Sequence, residues 1–354
     1  AWRGHAILDA GGKTLPSQEE NGKMYLLADL PGGSFTTVRR GKKTVAKTIP
    51  LKKFVLENEL IRYEFSKDGQ LTSAYDKIIG FEILSASGNV LSLYKDRPLT
   101  YDAWDIEIYY KRDYSGSPEC VSVAGTSGAA FSMLEFVYKT EKSELRQKAV
   151  LRPGSRRLDF ITHADWREHR VMLRTEFPVN IASDTASFDI QYAYVKRSTH
   201  DNTSWDEAKF EVCGQRYADL SRGDYGAALL NDCKYGYRVK DSSLELTLLR
   251  SPRYPDFSAD LGKHDFTYSF LPHTGTLTES EVMREAACLN RAPYVADGFA
   301  AGDAEPPCRI ESEGVTLEIL KRAEKDDSRI VRLVETQGMP SEAVLRFKDK
   351  KTSI

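Results

Sequence analysis

Ile61-Arg62-Tyr63-Glu64-Phe65 sets apolar and charged side chains in strict alternation. Successive side chains of an extended backbone point to opposite faces, so a period of two predicts a half-buried strand. The same rhythm recurs on both sides of it. Trp104, Ile106, Ile108 and Tyr110 alternate with Asp105 and Glu107, and Phe188, Ile190, Tyr192 and Tyr194 repeat the pattern. Leu244, Leu246 and Leu248 follow, then Phe266, Tyr268 and Phe270. Each run predicts a strand. Eighteen tyrosines and fifteen phenylalanines suit packed, pleated surfaces. Turn residues punctuate the runs at Lys67-Asp68-Gly69, Ser87-Gly88-Asn89, Arg152-Pro153-Gly154 and Ser221-Arg222-Gly223-Asp224. Many strands at short spacing predict an all-β sandwich and argue against βαβ units.

Helical signal is sparse, with one best case. Thr278-Glu279-Ser280-Glu281 has the spacing of a capping box, and Val282, Ala286 and Leu289 share the face that follows, which predicts one short helix ending near Asn290. A Gly-, Ala- and Pro-rich linker is expected over 296–307. Beyond it, Val315-Leu317-Ile319, Val331-Leu333 and Val344-Arg346 predict a small separate strand set. At the other end, the Pro31-Gly32-Gly33 turn and a Lys-rich stretch over 42–53 separate about fifty residues from the main body.

The formal net charge is −2, and Lys and Arg are scattered apart from short runs at 39–43 and 348–351. Solvated loop tips account for both runs, so no nucleic-acid partner is expected. No apolar stretch approaches ~18 residues, so no membrane span is expected. Ala1-Trp2-Arg3-Gly4-His5 lacks a charged-then-apolar leader, so no signal peptide is expected. Five cysteines, odd in number and without a CxxC pair, predict free thiols and a cytoplasmic setting.

The common phosphate-binding, triad and metalloprotease signatures are absent. His163-Ala164-Asp165-Trp166-Arg167-Glu168-His169 tempts as a metal site, because His163 and Asp165 share one strand face. That face lies opposite Leu158, Phe160, Ala164 and Trp166, and a solvated polar face explains it equally well. A tetrahedral site needs three or four ligands, so no metal is expected here. Two loop segments set Trp beside Asp: Tyr101-Asp102-Ala103-Trp104-Asp105 and His200-Asp201-Asn202-Thr203-Ser204-Trp205-Asp206. Sugar sites use such pairs, the ring stacking on C–H faces and the carboxylate accepting hydroxyl hydrogen bonds. The competing reading is a loop pinned by Trp and Asx turns. Arg250 ends the Leu244–Leu246–Leu248 run on its apolar parity, where it must find carboxylates or a ligand's hydroxyls.

Several segments, in this order and spacing, resemble the family 38 glycoside hydrolases, the α-mannosidases, in their bacterial and cytosolic or vacuolar branch. They include Leu56-Glu57-Asn58-Glu59-Leu60-Ile61-Arg62, Asp102-Ala103-Trp104-Asp105-Ile106, Asp165-Trp166-Arg167-Glu168-His169 and Asn202-Thr203-Ser204-Trp205-Asp206. Leu230-Asn231-Asp232-Cys233-Lys234-Tyr235-Gly236-Tyr237, Leu248-Leu249-Arg250-Ser251-Pro252, Gly262-Lys263-His264-Asp265-Phe266-Thr267-Tyr268 and Leu320-Lys321-Arg322-Ala323-Glu324 continue the series.

The resemblance implies a galactose-mutarotase-like supersandwich over 51–295. Residues 1–50 would then be the end of a small β domain and a linker, and 308–354 a small, incomplete C-terminal β domain. It further implies the non-catalytic C-terminal region of a retaining enzyme that hydrolyses terminal α-D-mannosyl residues. Both catalytic carboxylates and a Zn2+ ion would belong to the enzyme's own N-terminal barrel, which nothing here matches. No catalytic residue is therefore expected in this segment. The substrate-pocket rim implied by the family falls on Asp102, Trp104, Asp105 and Arg250, with Arg253 the alternative pocket arginine. The partners implied are a mannosidic carbohydrate and that barrel, and homo-oligomerisation stays open. The rival reading is a free-standing carbohydrate-binding or mutarotase-like sandwich.

Overall fold

A computed structural model describes residues 2–44, 48–298 and 305–348. Residues 299–304 of the expected linker and 349–354 of the expected C-terminal domain lie outside the described residues, as do 45–47 of the Lys-rich stretch. The chain divides into two compact units.

The larger unit takes Ile49–Ser127 and Phe131–Ala292. Its strands pair antiparallel throughout and build sheets of four, six and ten strands. The six-stranded sheet centres on Val171–Pro178 and Ser243–Leu249. The ten-stranded sheet centres on Gly262–Thr274 between Tyr225–Asn231 and Leu158–Trp166. One core joins all three sheets: Tyr63 and Phe65 from the first, Phe177, Leu244 and Leu246 from the second, Phe136, Phe160, Tyr268 and Phe270 from the third. Phe177 stacks on Phe270 at 4.9 Å between centroids, and Phe160 stacks on Tyr268 at 5.1 Å. The predicted all-β supersandwich is what these residues build. Alternation did its work here: Leu158, Phe160, Thr162, Ala164 and Trp166 are buried, while Ile161 and His163 face out.

The core also holds a polar cluster. Asn89 donates to Gln147 (2.8 Å), Gln147 donates to Thr162 (3.0 Å) and to the Tyr268 hydroxyl (2.9 Å), and that hydroxyl donates back to Asn89 (2.6 Å). The ten-stranded sheet ends at a two-residue strand, Ile49–Pro50, which pairs only with Ser127 and Thr126.

Two expected strands are corrected. The run from Trp104 to Tyr110 is not extended: it is an irregular loop leading into a 3-10 helix at Tyr110–Asp113. Of its alternating residues Trp104 and Ile108 are exposed, while Ile106 and Tyr110 pack on Tyr94 and Met172 from an irregular backbone and not from a strand. The run from Phe188 to Tyr194 is two strands, Thr185–Ile190 and Ala193–Ser198, folded back on each other. The reversal comes at Tyr192, which adopts φ 55°, a left-handed conformation unusual for an aromatic residue.

The helix Val282–Asn290 ends where expected and buries Val282 and Ala286 against Tyr217, Leu230 and Leu271. The expected capping box does not form: the N-cap is Glu281, and among the described residues no side chain caps it. Thr276, not Thr278, shares its backbone N–H and hydroxyl with the Glu279 carboxylate (3.0 and 2.8 Å), closing the turn that precedes the helix.

The smaller unit takes its described residues from Ala1–Thr48, Gly128–Ala130 and Pro293–Ile354. It holds a three-stranded sheet around His5–Leu8, the hairpin Ser17–Glu20 with Lys23–Leu26, and two further pairs, Cys308–Glu311 with Val344–Phe347 and Val315–Arg322 with Arg329–Glu335. No helix of the described residues is long and apolar enough to cross a membrane.

Candidate functional site

At the end of the sandwich where Val171–Pro178 begins and Ser243–Leu249 finishes, three segments are laced together by their backbones. The Arg170 amide donates to the Ser251 carbonyl (2.9 Å), and the Asp96 amide donates to the Arg170 carbonyl (2.8 Å). Asp260 accepts from the amides of Arg250 (3.0 Å) and Ser251 (3.1 Å). Trp166 donates its indole N–H to the buried Ser251 hydroxyl at 2.5 Å.

Four residues here occupy the left-handed region: Tyr101 (φ 55°), Arg170 (φ 52°), Ser251 (φ 54°) and Asp260 (φ 58°). Each costs about 1–3 kcal/mol and persists only where its surroundings over-determine it. Here the backbone bonds and the Asp260 carboxylate supply that hold.

Two arginines do much of the holding. Arg250 grips Asp96 with a fork, Nε to Oδ2 at 2.8 Å and Nη2 to Oδ1 at 3.0 Å, and extends Nη2 to the carbonyls of Asp102 (3.3 Å) and Asp105 (2.5 Å). Arg170 gives Nε and Nη2 to Asp102 Oδ2 at 3.0 and 2.8 Å, and the Arg253 amide adds a third donor at 3.3 Å. Burial pushes Asp102 up, but Arg170's hydrogen bonds, the Arg253 amide and both guanidinium charges outweigh it and hold the carboxyl below its ordinary value. Asp96 is more deeply enclosed. There burial wins over the Arg250 fork, with the Asp102 charge in support, and the carboxyl is raised.

What this frame presents is aromatic. The Tyr101 carbonyl accepts from the amides of Trp104 (2.8 Å) and Asp105 (3.0 Å), a tight turn that displays Trp104 at 65% exposure. Tyr101 and Tyr254, both exposed, meet Trp104 edge-on at 6.3 and 6.5 Å, and Arg253 lies over the exposed Phe257 ring. The sequence-predicted residues thus come together and divide by role. Asp102 and Arg250 are spent inside the frame, while Trp104 and Asp105 stand on its surface. Between the two candidate arginines, Arg250 is the clamp and Arg253 is the exposed one. Asp96, Arg170, Tyr254 and Asp260 were not foreseen. The partners that hold them in the frame lie 9 to 154 residues away, so no local spacing signals them.

The second Trp–Asp segment is held at the opposite end of the sheet, where Lys240 bonds the His200 carbonyl (2.9 Å) and pairs with Asp201 (2.6 Å). Thr203 caps a one-turn helix, Ser204–Glu207, by accepting from the Asp206 amide. His163 and Asp165 are likewise engaged, His163 with Asp265 across the strand pair (2.8 Å) and Asp165 with Arg167 (2.6 Å). Among the described residues, no group of three or more His, Cys, Asp or Glu could hold a metal ion.

Residues 56–258 match the family described as "Glycosyl hydrolases family 38 C-terminal domain". The chain is 37% identical over 296 residues to Alpha-mannosidase 2C1 of Homo sapiens, covering 80% of this chain and 28% of that protein. It is 33% identical over 297 residues to Alpha-mannosidase G of Dictyostelium discoideum, covering 80% and 27%. The chain therefore spans less than a third of the length of these curated relatives. A solved structure, a protein in the glycosyl hydrolase family 38 from Enterococcus faecalis, superposes with a TM-score of 0.72 at 14% identity, over 96% of this chain and 48% of that one. At that identity the likeness speaks for the fold alone.

Proposed function

The chain belongs to the glycosyl hydrolases family 38 C-terminal domain family, and from that premise we propose that it is the non-catalytic β region of a retaining α-mannosidase acting on terminal α-D-mannosyl residues. The observation that carries the reading is the strained, doubly clamped corner displaying Trp104 beside Asp105. An exposed aromatic ring next to a carboxylate suits a pyranoside, stacking on its C–H face and accepting from its hydroxyls.

We read Trp104, Asp105 and the neighbouring Arg253 as the rim that touches substrate. Asp102 and Arg250 fix the loop so that this rim is pre-formed. Hydrolysis with retention needs two carboxylates ~5–5.5 Å apart, one nucleophile and one acid/base. We assign that pair, and the Zn2+ that the family likeness implies, to a catalytic barrel N-terminal to this sandwich, since the side chains described here offer no ligand set. The exposed rings Tyr101, Trp104, Tyr254 and Phe257 are then the surface this barrel would cover. Free thiols at all five cysteines favour a reducing, cytoplasmic setting.

The test uses the complete protein and an aryl α-mannoside. Trp104→Ala and Asp105→Ala should lower kcat/KM roughly 10- to 100-fold, on the scale of one lost hydrogen bond or ring contact, with Tm unchanged. Wild-type kcat/KM in both variants would remove the rim from the site. This chain by itself should show no turnover, and measurable hydrolysis that Asp102→Asn abolishes would overturn the non-catalytic assignment.

A further inference from the structure

At the far end of the sandwich from the Trp104 rim lies an open cleft of about 540 Å³, inside the roughly 300–1,000 Å3 range of small-molecule sites. Val179 and Ser242 line it, and these residues adjoin the ends of Val171–Pro178 and Ser243–Leu249 opposite to Arg170 and Arg250. At ~3.3 Å per residue, eight residues separate the two places by roughly 25 Å. The cleft is therefore independent of the rim.

Its walls carry unspent polar groups. The Tyr225 hydroxyl is buried and has no hydrogen-bond partner among the described residues. Burial first, and the Asp76 charge second, push this phenol up, so it remains protonated and is a donor at every physiological pH. Arg222 is exposed at the Ser221-Arg222-Gly223-Asp224 turn and makes no ion pair among the described residues. Ser85 and Ser242 line it as well, as does Asn180, whose side-chain amide donates to the carbonyls of Glu82 (3.0 Å) and Leu84 (2.9 Å). The apolar side is Phe81 and Tyr225, edge-to-face at 5.2 Å, with Val179 and Ile181.

We propose that this cleft binds a neutral hexopyranosyl unit, through the Phe81 and Tyr225 rings and the donors of Arg222 and Tyr225. Aromatic walls with a few convergent donors match the amphipathic faces of a pyranose. Near the Tyr225 phenol lie the charges of Asp76, Arg156 and Glu82, in that order of influence. Those two carboxylates are already held by partners inside the protein: Asp76 by Arg156 at 2.7 Å, Glu82 by the Ser73 hydroxyl at 2.6 Å.

Saturation-transfer NMR on the complete protein tests this, with methyl α-D-mannopyranoside, methyl α-D-glucopyranoside and sodium glucuronate as probes. A neutral glycoside should bind with a millimolar Kd. Arg222→Ala and Tyr225→Phe should each weaken that binding about tenfold, and Trp104→Ala should leave this component intact. Among the described residues Arg222 is unpaired and Tyr225→Phe removes only an unsatisfied hydroxyl, so both variants should keep the wild-type Tm or exceed it. A fall in Tm for Tyr225→Phe would mean that the hydroxyl serves the fold, and would overturn its role. A component left in Trp104→Ala that survives both cleft substitutions, no such component up to tens of millimolar, or tighter binding of glucuronate than of either neutral glycoside would each overturn the proposal.

Discussion

Asp102 shows how one side chain ties the site to pH. Its carboxyl is depressed in the folded protein, so it contributes stability above its unfolded pKa of about 3.9 and loses that contribution as the pH falls through the lower, folded value. Asp102→Asn should thus cost roughly 1–2 kcal/mol at pH 7, a Tm loss of several degrees, and the gap should close progressively below about pH 4. A gap that stays constant from pH 7 to pH 3 would mean that the charge of Asp102 contributes nothing. Cys233 offers a second check. Burial and then the neighbouring Asp232 push its thiol up to about 11. At pH 8 roughly a thousandth of it is thiolate, so iodoacetamide should label Cys233 far more slowly than a cysteine in a short peptide. The residue scale is also where sequence reading reached its limit. Arg250's parity at a strand end signalled that it needed partners, but nothing near it in the chain names Asp96 as the partner.

Elements were legible wherever burial enforced the pattern. Leu244, Leu246 and Leu248 alternate because that strand lies against the core, and Phe266, Tyr268 and Phe270 do so for the same reason. From Trp104 to Tyr110 the same alternation belongs to a loop, because clamps at its two ends, and not a pleat, fix its course. One end is the Arg250 grip. At the other, Tyr110 donates to Glu211 (2.6 Å) and Lys111 pairs with the buried Glu245 (2.6 Å). Tyr192 hid a hairpin because it turns the chain without Gly or Asn. The helix Val282–Asn290 is tied down by Arg157, which bridges Glu285 (2.8 Å) on the helix and the buried Asp159 (2.8 Å) on the sheet. Burial raises Asp159, but Arg157 and Arg152 together hold it below its ordinary value. Asp159→Asn should cost about 3 kcal/mol at pH 7, since it leaves Arg157 half-paired in the interior. Hydrogen exchange along the helix should speed up with it. Unchanged exchange there would show that the helix is anchored by Val282 and Ala286 alone.

At the scale of the whole larger unit, the three sheets have no separate interiors to lose one at a time. Phe177 touches Phe160, Tyr268 and Phe270 across them, and its ring lies so close to Gly88 that a Cβ there would stand 2.9 Å from it. Phe177→Ala should cost about 3–5 kcal/mol and move the unfolding of both large sheets together, seen as one shifted transition by near- and far-ultraviolet circular dichroism. Two resolved transitions would mean that the sheets fold apart. Among the described residues, the ten-stranded sheet also has an unfinished border. Glu119–Ser127 is its last long strand, and Ile49–Pro50 covers only Thr126 and Ser127 of it, with the Leu51 amide reaching Gly125. A border of free backbone donors and acceptors is a template for another chain. Two devices blunt it here: the register slip between Cys120 and Ser122, and Pro50, which has no N–H to offer. Without 49–50 the same border would invite copy-to-copy strand addition, so what this two-residue strand protects is solubility: its loss would show first as concentration-dependent aggregation.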